Sequence, residues 1–147
     1  MAQVADNIWV GTYADSLNAR FTSERNITHI LCCAAEYDTV PGFLVLSKQS
    51  ERWHRLELDQ RPELDNRATL DTRPPLDKKK MDKLVTEGAS KLNEWLNEGR
   101  SVILHCSTTF QRTILVLIEY FVKYKGWTAE IANSHLRQKL NCKVTNK

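Results

Sequence analysis

Residues 101–122 carry the chain's most restrictive pattern. A short apolar run, SVIL, is followed by HCSTTFQRT and then by ILVLIEYFV, which is apolar almost all round. A helix with no polar face has to be covered on every side, so the helix beginning near Thr113 belongs at the centre of a fold. The four-residue run ahead of it reads as a short buried strand. A strand that turns within nine residues into a central helix is the beginning of a layered arrangement of strands and helices.

The rest of the chain supplies the partners. Ile8-Trp9-Val10 ahead of Gly11 reads as a short strand, and residues 14–25 as a helix. THILCCAA, residues 28–35, is a continuous apolar run with β-branched residues, the pattern of a buried strand. Pro41-Gly42 signals a turn. WHRLEL, residues 53–58, alternates and reads as another strand. Met81, Leu84, Val85, Ala89, Leu92, Trp95 and Leu96 recur at helical spacing, with Asp77 placed to cap the start and Gly99 the end. Lys125-Gly126 stops the central helix, and Thr128 caps a last one, TAEIANSHLRQKL. Strands alternating with helices predict an α/β fold with a central, mostly parallel sheet flanked by helices. The length of 147 residues predicts one domain, residues 1–147, large enough to bury a core without disulfides.

Between the strand at 53–58 and the helix near 78 lies a repeat: LDQRPE, LDNRAT, LDTRPP, then LDKKKM. A period of six is not helical, and Pro62, Pro74 and Pro75 exclude a central strand. Residues 59–76 are therefore expected to be an extended surface loop, a hexad insertion of the kind that loops tolerate.

Composition narrows the classes of function. A net charge of +3 permits an anionic partner, but no basic run is interleaved with aromatics, so nucleic acid is not expected. The four cysteines, Cys32, Cys33, Cys106 and Cys142, include no CxxC, which argues against zinc and thioredoxin-like sites. No metal and no cofactor are expected. The sequence shows no signal peptide and no membrane span, so the expectation is a cytoplasmic protein, with the nucleus as an alternative.

The chemistry is concentrated in HCSTTFQRT, where Cys106 and Arg112 are separated by five residues. A loop from a strand end to a helix N-terminus aims backbone N–H groups at one point, and the helix dipole adds positive potential there. The phosphate-binding set is then Ser107, Thr108, Thr109, Phe110, Gln111 and Arg112, with Arg112 able to grip two phosphate oxygens at once. The same field lowers a thiol pKa, which makes Cys106 a candidate nucleophile. Thr113 is placed to donate its hydroxyl to the Cys106 sulfur. His105 precedes the nucleophile on the strand and so faces the opposite side; it is expected to hold the backbone and assist the thiolate electrostatically rather than donate a proton. Phe110 is either a wall for an aromatic phosphoester or a packing residue, and Gln111 either orients water or is a surface amide.

VILHCSTTFQRT resembles the phosphate-binding signature of cysteine-dependent protein phosphatases. VADNIWVGTYADSLNARFTSERNITHILCCAAE resembles the opening of dual-specificity protein phosphatases. WHRLELD and GWTAEIANSHLRQK resemble the strand before their acid loop and the helix after their central one. The resemblance covers nearly all the chain apart from the hexads, and points to an atypical, small, single-domain type. It implies a protein-tyrosine-phosphatase-like fold and a two-step reaction. Cys106 attacks phosphorus to give a thiophosphate, and water then hydrolyses it. An aspartic acid first protonates the leaving oxygen and later acts as base. The implied substrate is a phosphorylated protein or peptide carrying phosphotyrosine, phosphoserine or phosphothreonine, bound by a monomer with no metal, nucleic acid or membrane involved.

Two departures bear on activity. Thr109 stands where the family usually has glycine, and a β-branched residue held at positive φ costs on the order of 1–3 kcal/mol. Ile114 stands where another glycine is common. These leave open an alternative reading, a catalytically weak or dead phosphatase-like domain that binds phosphorylated partners. STTFQ carries no Lys or Arg, which disfavours a highly charged substrate such as an RNA 5′-phosphate or an inositol lipid. The general acid has more than one candidate. Counting from the preceding strand gives Asp59, counting back from the following helix gives Asp71, and Asp65 lies between them. Asp59 is preferred because a strand end is anchored.

Overall fold

The structure, a computed structural model, describes residues 2–58, 78–107 and 110–140. Among the described residues, five strands form one sheet: β1 (Ala2–Ala5), β2 (Ile8–Val10), β3 (His29–Cys32), β4 (Trp53–Arg55) and β5 (Val102–His105). Their order is β1-β2-β5-β3-β4, with β2, β5, β3 and β4 parallel and β1 antiparallel to β2. The α/β architecture predicted from the alternation of strands and helices is present. β1 is an addition: it pairs back on β2 through a turn containing Asn7, whose φ is 64°, and AQVA is too short and too weakly alternating to announce a strand.

Among the described residues, six α-helices flank the sheet. They are α1 (Tyr13–Leu17), α2 (Ala19–Glu24), α3 (Gly42–Leu46), α4 (Lys78–Asn97), α5 (Gln111–Lys125) and α6 (Ala129–Lys139). The helix predicted over 14–25 is two helices. Asn18 adopts an extended backbone, φ −94° and ψ 100°, and its side chain accepts from Phe21 N–H. An Asn side chain that satisfies the next helix's first turn competes with continuing the previous one. Thr12 and Asp15 form a reciprocal capping box that fixes the start of α1. Pro41, expected in a turn, occupies the N-cap of the short helix α3. Gly99, at φ 80°, ends α4 as the sequence suggests, and Thr128 accepts from Ile131 N–H at 3.1 Å to cap α6. The hexads and Asp77 lie outside the described residues.

β5 is the central strand, and all four of its residues are buried. Its alternation splits the interior into two layers. Leu104 and Val102 join the larger cluster under α4, α5 and α6, with Leu31, Leu92, Ile114, Leu117 and Phe121. Ile103 faces a smaller cluster with Ile27, Ile30 and Leu44 on the side of α2 and α3. The central helix α5 buries Ile114, Val116, Leu117, Tyr120 and Phe121, although Val122 is 38 % exposed. Among the described residues, no helix is long and apolar enough to cross a membrane.

Candidate functional site

The parallel strands put their C-terminal ends at one edge of the sheet, where open α/β sheets collect ligand-binding groups. Four chain segments leave the sheet there: Gly11 after β2, Cys33 to Glu36 after β3, Leu56 to Leu58 after β4, and Cys106 after β5. Backbone hydrogen bonds extend the sheet into these segments. Gly11 donates to Leu104 at 3.0 Å, Cys33 to His105 at 2.7 Å, Leu56 to Cys32 at 2.8 Å and Ala35 to Leu58 at 3.1 Å. Gly11 is required by close approach, since a Cβ there would lie 2.9 Å from Ile103 Cδ1 and 2.8 Å from Asp15 Oδ2.

Arg112 lies in the first turn of α5 and is 2 % exposed. Its guanidinium makes a bidentate pair with Glu36, with Nη1 to Oε1 and Nη2 to Oε2 both at 2.7 Å. Nη1 also donates to the Leu58 carbonyl at 2.8 Å. Arg112 therefore ties together the loop after β3, the stem of the segment after β4 and the start of α5. Glu36 keeps its carboxyl below the ordinary range, chiefly through the Arg112 hydrogen bonds, which outweigh the opposing effect of burial. Burial would lower the arginine pKa, but Glu36 more than offsets it, so the charge on Arg112 is secure.

Sequence reasoning did not find Glu36. The only signal was its place after the apolar run that ends β3, and its partner is 76 residues away. Arg55 was also missed: its Nη2 donates to the Ala35 carbonyl at 2.8 Å and steadies the loop that carries Glu36.

Cys106 directly follows β5 and is 1 % exposed; among the described residues its sulfur has one long contact, 4.0 Å, to the Ser107 carbonyl. Two expectations for its neighbours need correction. Thr113 is fully buried, and its hydroxyl is directed at Cys33, just after β3, rather than at the Cys106 sulfur. The reason is helical phase. With α5 starting at Gln111, Thr113 turns toward the sheet, where Cys33 follows β3. His105 faces the other side of the sheet from Cys106, packed 5.7 Å from both the Tyr13 and Tyr37 rings, which stack on each other at 4.1 Å. Among the described residues neither ring nitrogen of His105 makes a close hydrogen bond. Burial, helped by the positive charge of Arg112 and only partly offset by the Cys106 backbone, pushes the imidazole down to about 4. His105 is therefore neutral near pH 7 and carries no charge to assist a thiolate; its backbone carbonyl, bonded to Cys33 N–H, is what holds the strand end.

Phe110 sits at φ 59° directly ahead of α5, and its carbonyl accepts from Ile114 N–H at 2.8 Å. The left-handed residue of this loop in the described structure is thus Phe110, which packs partly buried against the core. Ser107 and Gln111 flank the loop, whereas Thr108, Thr109, Asp59, Asp65 and Asp71 lie outside the described residues. Among the described residues no cluster of His, Cys, Asp or Glu could hold a metal ion.

No family model matches the chain, and no curated protein matches it. Solved structures do. The human tyrosine phosphatase-like serine/threonine/tyrosine-interacting protein superposes with a TM-score of 0.70 at 16% identity, covering 99% of this chain and 87% of that one. Human DUSP28 gives 0.69 at 12% identity over 94% of this chain and 79% of its own. PTPMT1 in complex with PI(5)P gives 0.59 at 13% identity over 95% and 82%. The five-stranded sheet, its flanking helices and the strand–loop–helix that carries Cys106 and Arg112 together make this the fold of the dual-specificity and protein tyrosine phosphatases.

Proposed function

We propose that the protein is a cysteine-dependent phosphoprotein phosphatase acting on phosphotyrosine, phosphoserine or phosphothreonine through a thiophosphate on Cys106. The observation that carries the reading is the placement of Arg112. Its guanidinium is aligned by Glu36 and the Leu58 carbonyl at the same sheet edge where Cys106 follows β5. Arginine pre-oriented beside a helix N-terminus gives a phosphoryl group charge and direction together. In the first step the Cys106 sulfur attacks phosphorus, and the leaving oxygen takes a proton from an aspartic acid. In the second, water attacks the thiophosphate, with the same carboxylate as base. Leu58 bears on which aspartate serves. Its carbonyl is bonded to Arg112, and Asp59 is the next residue in the sequence, whereas Asp65 and Asp71 follow six and twelve residues later. The substrate is a phosphorylated protein or peptide. The expectations of a monomer in the cytoplasm accompany this reading.

A second reading has its own support. Cys106 is almost fully covered and Thr113 does not assist its sulfur, the arrangement expected of a domain that holds phosphorylated partners with little turnover. One of the similar structures is itself described as phosphatase-like and interacting.

Single-turnover hydrolysis of an aryl phosphate separates the two. The wild type is expected to release a burst that is absent in Cys106→Ser and reduced about 100-fold or more in Asp59→Ala but not in Asp71→Ala, in line with the loss of a general acid. No burst in the wild type, with phosphopeptide affinity that is lost in Arg112→Ala, establishes the binding domain instead.

A further inference from the structure

The carboxylate that aligns Arg112 belongs to a loop. Glu36 follows β3 in a stretch with no strand or helix, and its side chain is 40 % exposed. An exposed glutamate has several rotamers open to it, and holding one costs entropy. The backbone on either side of Glu36 therefore governs how firmly the bidentate pair is made.

Ahead of Glu36 the loop is held at Ala35. Its N–H donates to the Leu58 carbonyl at 3.1 Å, and its carbonyl accepts from Arg55 Nη2 at 2.8 Å. Behind Glu36 the loop is held at Tyr37. The Tyr37 ring lies on the Tyr13 ring at 4.1 Å, with the planes 7° apart. The Cys32 thiol also reaches the Tyr37 carbonyl, at 3.8 Å. Tyr13 is a fixed support. It opens α1, whose start is set by the Thr12–Asp15 capping box, and Gly11, two residues earlier, is bonded to Leu104. Both rings stand 5.7 Å from His105, the residue before Cys106. The stack thus joins the segments that leave β2, β3 and β5. Both tyrosines are half-buried and neither hydroxyl is buried without a partner, so the ring faces, and not the O–H groups, make the joint.

We infer that Tyr13 and Tyr37 are positioning residues for the phosphoryl site, an inference that rests on the reading of Cys106 and Arg112 given above. Their stack fixes the Glu36 carboxylate, and through it the Arg112 guanidinium, before an oxyanion arrives. Neither tyrosine touches the substrate. Without the stack the loop after Glu36 is freer, the bidentate pair is made for less of the time, and a bound oxyanion has to order it. The loss of one aromatic pair corresponds to about a fivefold change in an equilibrium constant.

The test uses the full chain and two readouts. Calorimetry with tungstate, a tetrahedral oxyanion, gives the affinity of the site, and solvent exchange of the Arg112 guanidinium protons by NMR reports how firmly that group is held. Tyr13→Leu and Tyr37→Leu keep apolar bulk and remove the stack. Each is expected to weaken tungstate binding about fivefold. Each is also expected to speed Arg112 exchange toward the rate seen in Glu36→Gln. The conservative variants Tyr13→Phe and Tyr37→Phe keep the stack and are expected to restore both readouts. Because the ring acts only through the carboxylate, Tyr37→Leu added to Glu36→Gln is expected to weaken binding no further. A merely structural role lowers the melting temperature but leaves Arg112 exchange unchanged and makes the losses additive. Unchanged Arg112 exchange in both leucine variants overturns the inference, as does an added loss of the same size in the Glu36→Gln background. A wild type that binds no tungstate strikes the phosphoryl reading instead, and Arg112 exchange still decides whether the tyrosines hold Glu36.

Discussion

Glu36 shows how far one residue's role can lie outside its own neighbourhood. Its carboxylate is 40 % exposed while the Arg112 side chain it grips is 3 % exposed. Removing a partner from a buried charge costs about 3–5 kcal/mol when no water can enter. Water reaches Glu36, so Glu36→Gln is expected to cost about 2 kcal/mol, in the range of hydrogen bonds to charged groups. Urea unfolding measures that loss. Glu36→Asp, whose carboxylate is one methylene short, should recover part of it. Nothing in the local pattern of CCAAE marks this glutamate, because a pair 76 residues apart is made by the sheet that brings β3 and β5 side by side. Cys106 and Arg112, in contrast, can be named as candidates from the sequence alone. They share one loop, and the spacing of that loop is itself the signal.

At the scale of elements, the packing of α4 on β4 and α5 depends on Gly88. A Cβ there would stand 2.5 Å from Leu56 Cδ1 and 3.0 Å from Val116 Cγ1. Alanine favours a helix over glycine by about 1 kcal/mol. Overpacking a tight core costs about 1–3 kcal/mol, and the neighbours cannot easily give way, because Leu56 and Val116 are fully buried and valine is stiff at χ1. The steric term wins, and Gly88→Ala is expected to lower stability by about 1 kcal/mol, or about 2–4 °C in thermal unfolding. Helices α4, α5 and α6 were readable because each carries its apolar stripe and its stop or start signal in its own sequence. The split between α1 and α2 was not, since apolar spacing continues through Asn18 and only the side-chain bond to Phe21 N–H reveals the break. The addition of β1 escaped for a related reason. Its place is set by pairing with β2 and by His135 on α6, not by any alternation of its own.

The whole molecule should be acid-sensitive in a defined window. Burial, aided by Arg100 and Arg52, pushes His29 down to about 4, and His105 is likewise pushed to about 4, against 6.5 for a free imidazole. Between those values the unfolded chain binds protons that the folded chain does not, so stability falls as pH drops from 6.5 toward 4. Glu36 acts in the same sense lower down. Its folded pKa is depressed, so its contribution is present above its ordinary 4.5 and is lost as pH falls through the folded value. The urea midpoint is expected to fall between about pH 7 and about pH 5, and His105→Phe, which keeps the ring beside Tyr13 and Tyr37 without a titrating group, should shrink that fall. Equal midpoints at the two pH values would contradict the neutral burial of both histidines. The sequence alone determined where most strands and helices form, and it put a thiol and a guanidinium at the two ends of one loop. Those features depend on forces acting within a few residues: periodicity, capping and the change from strand to helix. Only the tertiary structure decided that β5 lies between β2 and β3, that Arg112 is shared by Glu36 and Leu58, that Thr113 turns to Cys33, and that His105 is too buried to hold a charge. Each of those outcomes depends on which distant segments exclude water from the same place, and no local pattern encodes that.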